Sequence, residues 1–146
     1  MKIKLIINKK YEEPQILICN EKDDLEIRNL YHMVNATVNT SLTAYDGDKI
    51  CMILCSDIIH IYTQEQKVYV ATINGIYQLR QRLYELEEQL DQSKFLRISN
   101  SEIVNLKKVK RMDTSITGTI RMYLDGDIET YVSRRNVKKI KNALGI

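Results

Sequence analysis

Tryptophan is absent from this chain, phenylalanine occurs once, and the only proline is Pro14. Proteins that grip single-stranded RNA stack bases on paired aromatic side chains. The basic part of this chain lacks such pairs, which disfavours an RNA-binding role. The three cysteines are Cys19, Cys51 and Cys55. An odd count without a secretory segment argues against a disulfide framework. Cys51-x-x-x-Cys55, with His60 nearby, has a superficial look of metal ligands. Cys51-Met52-Ile53-Leu54-Cys55 is nevertheless an apolar run, in which free cysteine behaves as a small buried hydrophobe. No apolar run is long enough to span a bilayer, and Met1-Lys2-Ile3-Lys4 does not open a signal peptide. A cytoplasmic protein is expected. Also missing are a glycine-rich phosphate loop, a nucleophile elbow and a His-x-x-x-His pair. Carboxylates pair only in surface settings such as Glu12-Glu13, Asp23-Asp24 and Glu87-Glu88. The acidic cluster of a phosphoacceptor domain is missing too. The chain is therefore read as a non-enzyme, with no catalytic residue, metal or other cofactor.

What is there is one domain's worth of chain, 146 residues, with a net charge of +3. The charge is unevenly placed. Residues 94–146 hold 12 basic against 5 acidic side chains, whereas residues 1–93 hold 10 against 14. Such a split points the C-terminal third at a polyanion, either a nucleic acid or an acidic protein partner.

Tyrosine, isoleucine and valine favour strands, and the pattern is mainly β with short helices (α+β). Lys2–Asn8 and Gln15–Cys19 read as short strands around the break at Pro14. Asp23 or Asp24 then caps a helix carrying Leu25, Leu30, Met33 and Val34. Residues 1–41 thus form a small β-β-α unit. It is too short for its own core and is suited to dimerisation or regulation. From Leu42 onward, short strands alternate with Asp46-Gly47, Asn74-Gly75 and Asp125-Gly126, dipeptides that tolerate positive φ and favour tight hairpins. Leu42–Tyr45 pairs with Lys49–Cys55, Asp57–Tyr62 with Lys67–Thr72, and Thr119–Leu124 with Ile128–Val132. His60, inside an apolar run, is expected to be half-buried rather than catalytic. Gln78–Leu90 reads as a helix with Leu79, Leu83, Leu86 and Leu90 on one face. Ser133 is placed to cap a terminal helix held by Val137, Ile140 and Leu144, with its basic residues outward.

The chain is organised around Lys94–Asn105. Apolar residues anchor this stretch and leave a polar crest, Arg97, Ser99, Asn100 and Ser101. A crest of this kind either reads a base edge or caps itself as a turn. Lysine and arginine supply salt-dependent attraction to phosphate; sequence reading needs groups such as Asn for adenine and Arg for guanine. Asn100 and Arg135 are suitable for bases, and Lys108 and Lys139 for phosphates. The start of the terminal helix, at Ser133 and Arg134, offers unpaired N–H groups to a phosphate.

Phe95-Leu96-Arg97-Ile98-Ser99-Asn100-Ser101-Glu102-Ile103-Val104-Asn105, followed by Tyr131-Val132-Ser133-Arg134-Arg135-Asn136-Val137-Lys138-Lys139, resembles the LytTR family of bacterial DNA-binding output domains. The resemblance covers about residues 42–146. It implies an elongated β-sheet domain whose loops enter successive major grooves of duplex DNA, commonly on direct-repeat sites. It also implies base-reading roles for Asn100, Arg135 and, in the hairpin loop Glu65-Gln66-Lys67, Lys67. Arg97, Ser99, Ser101 and Arg134 would meet the sugar-phosphate backbone. The residues ahead of the domain leave no room for a receiver. That resembles stand-alone LytTR transcriptional regulators, for which control by a membrane-bound inhibitor protein is implied. Self-association through residues 1–41, as a homodimer, would suit tandem sites. The alternative left open is a protein-interaction module whose basic face binds an acidic partner.

Overall fold

A computed structural model describes residues 1–146 and contains ten strands and three helices. The first helix, α1 (Leu25–Val38), starts at Asp24, whose Oδ1 accepts from the Ile27 N–H at 3.0 Å. Asp23 instead pairs with Arg28. Strands β1 (Ser41–Asp46), β2 (Lys49–Leu54), β3 (Ile58–Gln64), β4 (Lys67–Thr72) and β5 (Gly75–Leu79) follow. Next come α2 (Leu83–Gln89), β6 (Phe95–Ser99) and β7 (Glu102–Asn105). Strands β8 (Val109–Asp113), β9 (Ile120–Leu124) and β10 (Ile128–Val132) lead into α3 (Val137–Leu144). The first seven strands form one antiparallel sheet in the order β2-β1-β5-β4-β3-β7-β6, and the last three form a second, β10-β9-β8. No helix is long and apolar enough to cross a membrane.

Strands β6 and β7 belong to both cores, which is why the Phe95–Asn105 stretch is apolar on both faces. Phe95 and Ile103 point into the first core, with Leu42, Ile61 and Val70 of the large sheet and Leu83, Leu86 and Leu90 around α2. Leu96, Ile98 and Val104 point the other way, against Ile120, Met122 and Val132 of the small sheet and Ile140 of α3. Buried Asn105 closes the far end of this hairpin. Its Nδ2 donates to the Ile58 carbonyl at 2.8 Å, and its Oδ1 accepts from the Lys107 N–H at 3.0 Å.

The expected hairpins from Leu42 onward are present, with registers Asp46↔Lys49, Gln64↔Lys67, Thr72↔Gly75 and Ile128↔Leu124. Three expectations need correction. Residues 1–24 form no strand over Lys2–Asn8 or Gln15–Cys19. An isolated two-stranded unit is barely stable in water, and here it meets no sheet edge. The helix expected from Gln78 begins at Leu83. Gln78 and Leu79 belong to β5, where Leu79 pairs with Val68. The leucine stripe is buried throughout, yet its first member reaches the core from a strand. Ser133 does not cap the terminal helix with its side chain. Its hydroxyl accepts from Asn136 Nδ2 at 2.7 Å instead.

The three remaining residues of note have structural surroundings. Cys51 and Cys55 are partly buried and pack against the first core. His60 Nδ1 lies 2.5 Å from Glu102 Oε1, and Glu102 Oε2 accepts from the Thr130 hydroxyl at 2.6 Å. This chain of bonds ties β3 and β7 of the large sheet to β10 of the small one.

Candidate nucleic-acid interface

Three loops converge at one end of the large sheet because antiparallel pairing stacks them there. The β3–β4 turn is Glu65-Gln66, and both residues have left-handed backbone, φ 49° and 64°. A two-residue turn of this kind normally takes Asn-Gly. Holding non-glycine residues in it costs about 1 kcal/mol or more each. Beside it, the Thr63 N–H donates to the Ser101 carbonyl at 2.8 Å, joining the β3–β4 turn to the crest between β6 and β7. Arg80 and Arg82, just past β5, complete an open depression lined also by Gln66, Lys67, Arg97 and Asn100.

The crest is braced from within. A register shift places a bulge at fully buried Ile98, immediately before it, and such bulges re-aim the residues that follow. The Arg97 guanidinium donates from Nε to the Ser99 carbonyl at 2.9 Å and from one terminal nitrogen to the Asn100 carbonyl at 2.5 Å. Its other terminal nitrogen meets Glu87 Oε2 at 3.0 Å. Ser99 Oγ accepts from the Ser101 N–H at 3.2 Å and lies 3.3 Å from Ser101 Oγ. The arginine and the serines therefore satisfy the turn, and the exposed Asn100 amide takes part in none of its hydrogen bonds. The turn caps itself, as one reading of the crest expected, and the side-chain amide at its tip makes no bond within it.

The start of the terminal helix is pinned to the same strand. The Ser133 N–H donates to the Ile98 carbonyl at 2.8 Å, and Asn136 Nδ2 reaches the same oxygen at 3.3 Å. Arg135 is two residues beyond Ser133, and Asn100 is two beyond Ile98. Chain reach keeps their Cα atoms within roughly 21 Å of each other. Glu87 adds a second tie, meeting Arg97 through one oxygen and Lys139 Nζ at 3.8 Å through the other. Arg134 and Arg135 are exposed. Arg134 lies over Gly118, which has φ +81°; a Cβ there would stand 3.4 Å from the Arg134 Nε.

Of the residues singled out from sequence, Asn100, Lys67, Arg97, Ser99 and Ser101 share one end of the sheet, and Ser133, Arg134, Arg135 and Lys139 join them through Ile98 and Glu87. Lys108 does not. It follows β7 at the end away from the crest, in a 3-10 turn over Leu106–Lys108. Arg80 and Arg82 fall inside the Gln78–Leu90 stretch expected to be helical and are not among the expected site residues. The net negative charge of residues 1–93 hid them. The helical reading of Gln78–Leu90 concealed that they sit in the loop beside Lys67.

A family model for the LytTr DNA-binding domain matches residues 48–145, about two thirds of the sequence. The chain belongs to the LytTR DNA-binding family. A solved LytTr DNA-binding domain from Bacillus cereus has the same fold, with a TM-score of 0.71 and 21% identity, covering 74% of this chain and 99% of that one. Two relatives from Staphylococcus aureus, strains MSSA476 and NCTC 8325 / PS 47, carry the name uncharacterized HTH-type transcriptional regulator. They are 39% and 38% identical over 147 residues, spanning 100% of this chain and 99% of each relative. The helix-turn-helix in those names has no counterpart here, since strands separate all three helices of this LytTR chain. The family model begins inside the β1–β2 turn, so α1 and everything before it lie outside the matched domain.

Proposed function

We propose that this chain is a transcriptional regulator that binds duplex DNA sequence-specifically through loops rather than through a recognition helix. The observation that carries the reading is the Asn100 amide, free of hydrogen bonds at the tip of a turn whose other polar groups are already satisfied. A buried or self-capped asparagine has no amide to offer; this one is held out and waits for a partner. Asn100 and Arg135 read base edges, and Lys67, beside the strained Glu65-Gln66 turn, is the third reader. Arg80, Arg82, Arg134 and Lys139 attract phosphates, while Ser99, Ser101 and Ser133 shape the backbone that meets them. Arg97 holds the crest and is primarily a positioning residue. The relatives' names support a role in transcription. The family resemblance adds direct-repeat sites read in successive major grooves, binding as a homodimer, and control by a membrane-bound inhibitor protein.

Selecting duplexes from a random pool with the purified chain, then footprinting the enriched sequence, tests the reading. Asn100→Ala and Arg135→Ala should each lose about 1–3 kcal/mol on the selected duplex and little on random DNA. Equal losses on both would take them off the list of base readers. Failure to enrich any sequence would favour an acidic protein partner instead.

A further inference from the structure

Eleven of the twenty large apolar side chains that stay exposed lie in the first 38 residues. Ile3, Leu5, Ile7, Leu17, Leu25 and Met33 among them are each 68–96% exposed. At roughly 100 Å² of apolar area per side chain, the eleven present on the order of 1,000 Å². One partner in a standard protein interface contributes about 800 Å². The backbone tells the same story. Lys2–Asn8 and Gln15–Cys19 have the composition of strands, yet neither enters either sheet.

Charge decides what covers this surface. Residues 1–10 carry Lys2, Lys4, Lys9 and Lys10 and no acid, a net +4. Residues 11–27 carry six acids against the single Lys22, a net −5. Lys2, Lys4 and Lys9 make no ion pair within the chain, and neither do Glu12, Glu13, Glu21 and Glu26. A uniformly basic or acidic partner would match one half and repel the other, and DNA is repelled by the acidic half. A second copy matches both, because a two-fold contact places each half of one copy against the other half of its mate.

We propose that residues 1–38 are the surface through which two copies of this chain pair, the basic first ten residues of each lying against the acidic stretch that follows in the other. This names the interface for the self-association suggested above, and it stands whether or not Asn100 reads a base. The crest and the start of α3 lie outside residues 1–38.

Sedimentation of the full chain without DNA tests the pairing. The wild-type protein should run at twice the chain mass at micromolar concentration. Lys2→Glu with Lys4→Glu should run at the single-chain mass, and so should Glu12→Lys with Glu13→Lys. Mixing the two variants should restore the paired mass. These side chains are exposed and unpaired, so far-UV circular dichroism and the unfolding midpoint should match wild type and serve as the folding control. A single-chain mass for wild type overturns the proposal. So does pairing that survives both reversals, or a mixture that stays unpaired.

Discussion

Arg97→Lys separates a residue that touches DNA from one that builds the part that does. The arginine side chain is 22% exposed and bridges two carbonyls of the crest and one carboxylate of α2. Lysine keeps the charge but presents a point donor rather than a planar fork, so at least one carbonyl bond is lost. Hydrogen bonds to a charged group contribute about 1.5–3 kcal/mol. Water can reach this half-open site, so the lower end applies, about 1.5 kcal/mol of global stability. The exposed part of the pairing with Glu87 adds little, at most about 1 kcal/mol. The larger effect falls on function. Without its brace the crest must be ordered at the moment of binding, and fixing two backbone residues costs about 1–2 kcal/mol each. Affinity for the selected duplex should drop by about 2–4 kcal/mol, a factor of roughly thirty to seven hundred. Binding to random DNA should barely change, because the charge is retained. Urea unfolding measures the first figure, and shift assays on both kinds of DNA measure the second. Selected-site affinity equal to wild type would refute the bracing argument. An equal loss on both kinds of DNA would make Arg97 a phosphate ligand.

Replacing Glu65-Gln66 with Asn-Gly should relieve left-handed strain and raise stability by about 1 kcal/mol or more in urea unfolding; no gain would mean that the turn is unstrained. Lys139→Ala should flatten the dependence of log affinity on log salt by roughly one unit. Lys108→Ala, at the opposite end of the hairpin, should leave the slope alone, and the reverse pattern would move the interface. Burial pushes the Cys55 thiol above its ordinary range, and only the thiolate is nucleophilic. Near neutral pH Cys55 should therefore alkylate far more slowly than the exposed Cys19 and catch up only as pH rises, which mass spectrometry of labelled peptides will show.

Local rules carried the reading furthest where one residue's chemistry dictates one geometry. The Gly-containing dipeptides located the turns at Asp46-Gly47, Asn74-Gly75 and Asp125-Gly126, because positive φ is cheap for glycine. The leucine stripe over Leu79–Leu90 marked what is buried, but period alone did not reveal that Leu79 arrives on a strand. The two strands expected on either side of Pro14 failed for a related reason: a strand is stable only with an edge to pair against, and composition does not say whether one is near.

The sequence by itself determined that this chain is a mainly β protein with a basic C-terminal third and a polar crest inside an apolar stretch. Alternation and charge are properties of the chain and need no partner to be read. Which members of the crest are used up and which are free was decided only in three dimensions. Arg97, Ser99 and Ser101 spend their donors and acceptors on the turn, and Asn100 does not. The neighbourhood of Asn100 was likewise settled by long-range pairing, with Arg80 and Lys67 beside it and Arg135 tethered through the Ile98 carbonyl. Hydrogen-bond geometry between residues far apart in the chain depends on strand order and register, and neither of those is written in any local stretch.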